Sequence, residues 1–130
     1  MQIGPVVSRT LLHVGLQDSL TEAARKMTAG KVGSAIVMTD EGPGIITERD
    51  ILRAVAAGGD LETARVEEYM THNAITAFED WDLREAARRM AEGGFRHLIV
   101  LDSGGQVEGI LSMRDLLMAL LRETSQVASS

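Results

Sequence analysis

Two four-residue segments carry the side chains that could hold a phosphorylated ligand, Thr47-Glu-Arg-Asp50 and Ser112-Met-Arg-Asp115. Each follows a short apolar run and opens a stretch of helical periodicity. The hydroxyl therefore falls at an N-cap and the aspartate at the third helical position. That pattern is a capping box, whose ordinary role is to satisfy the first N–H groups of a helix, for on the order of 1 kcal/mol. The same geometry also suits a ligand. A helix start offers unpaired N–H groups and partial positive charge, which favour phosphate. Arg49 and Arg114 can add charge-assisted bonds to phosphate oxygens. Asp50 and Asp115 would repel phosphate but can accept both hydroxyls of a ribose. A hydroxyl, a cation and an acceptor within one turn suit a nucleotide better than a bare phosphate or a bare sugar.

Both segments belong to a longer repeat. LTEAARKM at Leu20–Met27 returns as LREAARRM at Leu83–Met90, and GIITERDIL at Gly44–Leu52 returns as GILSMRDLL at Gly109–Leu117. One copy is too small to bury its own apolar face. The halves are therefore expected to pack together, with related clefts at the seam. Each copy reads as strand, helix, strand, strand, helix, an α+β pattern. In the first copy, Leu11, Leu12 and Val14 suggest a short leading strand. Leu20, Ala23, Ala24 and Met27 form a helical stripe, opened by a Ser19–Glu22 capping box and stopped by Gly30. Ser34–Met38 and Ile45-Ile46 are strands around a turn, and a helix runs over 48–57. The second copy repeats this with a strand at Ala74–Ala77, a capping box at Asp82–Glu85, a stop at Gly93 and strands at His97–Leu101 and Val107–Leu111. Its last helix runs over 113–122. Residues 1–60 are assigned to the first repeat, 61–72 to a linker helix and lead-in, 73–122 to the second repeat and 123–130 to a flexible tail.

Composition narrows the function. The 130 residues carry a net charge of −6, which argues against bulk binding to nucleic acid or anionic membrane. With no cysteine, disulfides and thiolate–zinc sites are excluded. His13, His72 and His97 lack paired ligand spacing, so no metal is expected. No run approaches the roughly 20 apolar residues of a membrane span, and the N-terminus lacks a signal-peptide plan, so a cytoplasmic setting is expected. No nucleophile–base pair or glycine-rich cofactor loop stands out, and an enzyme is not expected.

The ordered set of a short strand, an EAAxxM helix, SAIVM or RHLIVLD, then G-I-[IL]-[TS]-x-R-D, occurring twice, resembles the CBS domain. The tandem copy resembles the CBS pair, or Bateman module. Val66, Tyr69, Met70 and Thr71 look like that family's lead into its second copy. Where many members carry proline, this chain has Ala35-Ile36 and Leu98-Ile99. The resemblance implies two repeats related by pseudo-twofold symmetry, with sheets packed together and helices outside. It also implies a regulatory module that binds adenosine-containing ligands (AMP, ADP, ATP, S-adenosylmethionine or NAD) in two clefts between the copies.

By that resemblance Asp50 and Asp115 hold ribose, and Thr47 and Ser112 contact ribose or phosphate. Gly33-Ser34 and Arg96-His97 line the cleft of the other copy. The strands around Thr10–Leu12 and Asn73–Ile75 hold adenine. Arg96 then makes the Asp50 cleft the more cationic, and the Asp115 cleft is expected to be the weaker. The apolar run Leu116, Leu117, Leu120, Leu121, with Ile51 and Val55, is expected to pair two modules into a homodimer. The alternative is a docking module that dimerises or binds a protein without any small ligand.

Overall fold

The computed structural model describes residues 1–129, with side chains as far as Glu123. The chain forms two compact units, residues 10–74 and residues 1–9 with 75–130. The first nine residues therefore belong with the second repeat.

In the unit of residues 10–74, helix α1 (Leu20–Gly30) leads into the hairpin of β1 (Ser34–Thr39) and β2 (Gly42–Thr47). Helix α2 (Glu48–Ala56) and the short α3 (Val66–Tyr69) follow. The hairpin pairs Ser34 with Thr47 and Ile36 with Ile45. Leu20, Ala23 and Met27 of α1 pack with Ala35, Val37, Ile46, Ala54 and Val66. Ile36 and Ile45, of opposite parity on their strands, are buried as well. Burial on both strand faces explains why SAIVM is a continuous apolar run rather than an alternating one.

The other unit repeats the plan with β3 (Thr76–Phe78), α4 (Leu83–Gly93), β4 (His97–Leu101), β5 (Val107–Ser112) and α5 (Met113–Ser129). Strand β3 runs parallel to β4, and β4 antiparallel to β5, pairing His97 with Ser112. Its core gathers Ile3, Val7, Leu83, Met90, Leu98, Leu111 and Leu116. The architecture is α+β, and no helix of the described residues is long and apolar enough to cross a membrane.

Several local expectations need correction. The leading strand of the first repeat shrinks to one parallel bridge, His13 with Ile36. Gly15 stands where the second repeat has Phe78, and its N–H is taken by the Asp18 carboxylate at 2.8 Å, so the extended stretch turns away early. The helices α1 and α4 each run one residue further than expected. Their left-handed terminators are Lys31 (φ 56°) and Gly94 (φ 69°). Ser19 and Asp82 cap one way only; at Asp82 this is because Glu85 turns to Arg88 and Arg89 instead of returning to the cap. Helix α5 does not stop at Arg122, and residues expected to form a flexible tail are helical to Ser129.

Candidate functional site

Strand β2 delivers Thr47 to the N-cap of α2. The Thr47 hydroxyl accepts from the Asp50 N–H at 3.4 Å, and Asp50 Oδ2 accepts from the Thr47 N–H at 2.9 Å. The capping box is thus complete. The Thr47 hydroxyl also donates to Asp50 Oδ2 at 3.1 Å, while Arg53 pairs with Oδ1. Asp50 is only 6% exposed.

Strand β5 delivers Ser112 to the start of α5 in the same way. Its hydroxyl accepts from the Asp115 N–H at 3.1 Å. The exposed Asp115 does not return a bond to the Ser112 N–H, and the residue in the place of Arg53 is Met118. Arg49, Arg96 and Arg114 are exposed and form no ion pair among the described residues. The two repeats therefore present the same residue types with unequal commitments.

Within each unit the residues leading into the central strand meet the helix start. The Glu48 N–H donates to the Gly33 carbonyl at 3.0 Å, and the Met113 N–H donates to the Arg96 carbonyl at 2.8 Å. Strand register sets Ser34 opposite Thr47 and His97 opposite Ser112. A Cβ on Gly33 would lie 2.3 Å from Glu48 Oε1, the free end of an exposed side chain, so Glu48 would swing aside for a larger residue there, such as the arginine that stands at the matching position 96. A cleft of about 460 Å³ opens beside this point, lined by Met27, Lys31, Val32, Gly33, Glu48 and Ile51 among others. The leading segments match as well. The carbonyls of Leu12 and Ile75 accept from the N–H groups of Ile36 and Ile99 at 2.8 and 2.9 Å. Thr10 and Asn73 are exposed at the same place in each copy.

Sequence reasoning passed over Arg53 and Glu48. Arg53 had a legible signal, three residues past Asp50 on one helix face. The lead-in Val66–Thr71 also has an unnoticed copy in Ile3–Ser8. Thr71 exchanges backbone hydrogen bonds with Ile45, as Ser8 does with Ile110. The expected dimer face changes too. Leu116 is 1% exposed and Leu120 packs against the core, so neither is available to a partner. Leu52, Val55, Leu117, Met118 and Leu121 are exposed, while Ile51 packs on its own core.

A family model described as the CBS domain matches residues 3–57 and 66–122. The chain is 41% identical over 79% of its length to an uncharacterised 17.7 kDa protein of Acidianus ambivalens, and 32% identical over 90% to an uncharacterised protein of Methanopyrus kandleri. It spans 63% and 61% of those relatives' own lengths. A CBS domain protein from Pyrobaculum aerophilum complexed with AMP superposes with a TM-score of 0.80 at 27% identity, covering 97% of this chain and 99% of that one.

Proposed function

The chain belongs to the CBS-domain family, with two such domains in tandem, and from that premise we propose that it is a regulatory module that binds an adenine nucleotide. The observation that carries the reading is the duplicated hydroxyl-x-Arg-Asp at the starts of α2 and α5. Each combines helix N–H groups, an unpaired arginine and an aspartate, the set that phosphate and ribose require together. The AMP held by the Pyrobaculum relative supports the same ligand class. In this reading Arg96-His97 and Gly33-Ser34 complete the sites, and Leu12 and Ile75 contribute apolar surface to adenine. Binding signals energy or metabolite state to a partner protein.

Ligand that binds only the folded state stabilises it by about 2.7 kcal/mol at 100 times its dissociation constant. A thermal-unfolding screen of AMP, ADP, ATP, NAD and S-adenosylmethionine tests the proposal. A rise with one of them supports it, and an unchanged midpoint with all five at millimolar concentration overturns it.

A second reading rests on the exposed apolar side chains of α2 and α5. Leu52, Val55, Leu117 and Leu121 are each more than half exposed or at that border. They fit a homodimer interface, and a ligand-independent docking module would use the same surface. A protein partner captured equally well with and without nucleotide favours this alternative.

A further inference from the structure

We infer that the cleft between α1 and α2 is a binding site for a free α-amino acid with a large apolar side chain, separate from the helix starts read above as nucleotide sites. The cleft lies within the unit of residues 10–74, and its volume of about 460 Å³ is that of a small-ligand site. Its walls are apolar: Ala24 and Met27 of α1, Val32 just after it, and Ile51 of α2. Lys31 and Glu48 are the charged residues that line it, whereas Thr47 and Asp50 do not reach it. Both charged side chains are exposed, and neither joins an ion pair among the described residues. Each is therefore open to an opposite charge on a ligand lying between them.

That combination selects a ligand. A free amino acid offers a carboxylate to Lys31 and an ammonium to Glu48. Leucine, methionine or phenylalanine would at the same time bury its side chain against Met27, Val32 and Ile51. A fatty acid would set its carboxylate beside Glu48, and a simple amine would set its charge beside Lys31, like against like. A residue inside a peptide carries neither backbone charge.

The second repeat shows that the fold needs neither Lys31 nor Glu48. The backbones correspond, since the Val32 N–H donates to the Met27 carbonyl at 3.0 Å and the Phe95 N–H to the Met90 carbonyl at 3.2 Å. Yet Gly94 stands in the place of Lys31, and Met113, in the place of Glu48, packs against its own unit's core. Lys31 also holds a left-handed backbone (φ 56°) that glycine would adopt without strain. Strain of that kind gathers where a side chain is used on a ligand.

Titration of L-leucine, L-methionine and L-phenylalanine into the full chain, followed by the methyl NMR signals of Met27, Val32 and Ile51, tests the assignment. Saturable shifts of those methyls are expected with at least one of the amino acids below roughly 10 mM. The deaminated and the decarboxylated forms of that amino acid should each bind about tenfold more weakly. Lys31→Gly and Glu48→Met, which copy the second repeat, should each weaken binding about tenfold in a chain that remains folded. Should one variant fail to fold, the other and the two analogues decide. No saturable shift with any of the amino acids, analogues that bind as well as the parent, or affinity unchanged in the folded variants overturns the proposal. Shifts of the same methyls with protein concentration alone would make the cleft a contact between copies of the chain, and would overturn it too. The nucleotide reading stands or falls separately, on its own unfolding screen.

Discussion

Ser8 and Ile110 exchange two backbone hydrogen bonds, each of 2.9 Å, so the first nine residues complete the unit otherwise built from position 75 onward. Thr71 makes the same exchange with Ile45 at 2.8 and 3.0 Å. Each lead-in lies over a glycine. A Cβ on Gly109 would meet the Ser8 carbonyl oxygen and Val7 Cγ1 at 2.4 Å, and one on Gly44 would meet the Thr71 carbonyl oxygen at 2.6 Å. The glycine that opens both GIITERD and GILSMRD is thus fixed by backbone approach, not by a turn.

Gly109→Ala should therefore destabilise the protein by about 1–3 kcal/mol, since the obstacle is partly backbone and cannot swing aside. Gly44→Ala should do the same. Gly30→Ala is the control. Its Cβ would find only Val32 Cγ2 at 3.8 Å and Leu12 Cδ1 at 4.0 Å. Within a helix that change should stabilise by about 0.5–1 kcal/mol. Urea unfolding of the three variants checks the order.

Helices and central strands were legible because their signals are local. The EAAxxM stripe and the SAIVM and HLIVL runs state their periodicity within a few residues. The lead-ins were not, because Val7 and Ser8 read as an unremarkable start until their neighbour, Gly109, is known from the fold. The duplicated hydroxyl and aspartate were legible as a pair of helix starts. Arg53, three residues past Asp50, and Met118 at the matching place past Asp115 were readable in the sequence, but that Arg53 turns its guanidinium onto the Asp50 carboxylate was not. That distinction depends on side-chain geometry around Asp50 and Asp115, where Arg53 in the first repeat is answered by Met118 in the second.

Lys31 holds a left-handed backbone where the second repeat uses Gly94. An L side chain in that region costs roughly 1–2 kcal/mol. Lys31→Gly should therefore raise stability by about 1 kcal/mol, and Gly94→Lys should lower it by a similar amount. Thermal unfolding of both variants tests this, and a drop in Lys31→Gly would mean that the lysine side chain holds the end of α1 in place.

Asp18 gives the protein a component of acid sensitivity. Its carboxyl lies below its ordinary value of 3.8, chiefly because it accepts from the Gly15 N–H, with Lys26 adding to the effect and partial burial opposing it. A depressed carboxylate contributes stability above its unfolded value and loses it as pH falls through the folded one. Between about pH 5 and about pH 2 the wild type should lose stability more steeply than Asp18→Asn, whose amide oxygen can still accept from Gly15. Urea midpoints across that range supply the comparison. Parallel curves would show that Asp18 has the same proton affinity folded and unfolded.

The last prediction concerns the surface of α5. Leu117 and Leu121 lie one turn apart and are 50% and 63% exposed, while Leu116 and Ala119 on the same helix are buried. Replacing an exposed leucine should leave the fold intact, since little is removed from the core. Replacing it inside an interface should not leave the assembly intact, because a charge would be buried there without a partner. If the proposed homodimer uses this face, Leu121→Glu should reduce the sedimenting mass from dimer to monomer while the unfolding curve of the dissociated chain keeps its slope. A buried position such as Leu116→Glu would instead unfold the chain, which separates loss of assembly from loss of structure. An unchanged mass in Leu121→Glu would remove the exposed face of α5 from the interface and leave Leu52 and Val55 of α2 as the surface to test.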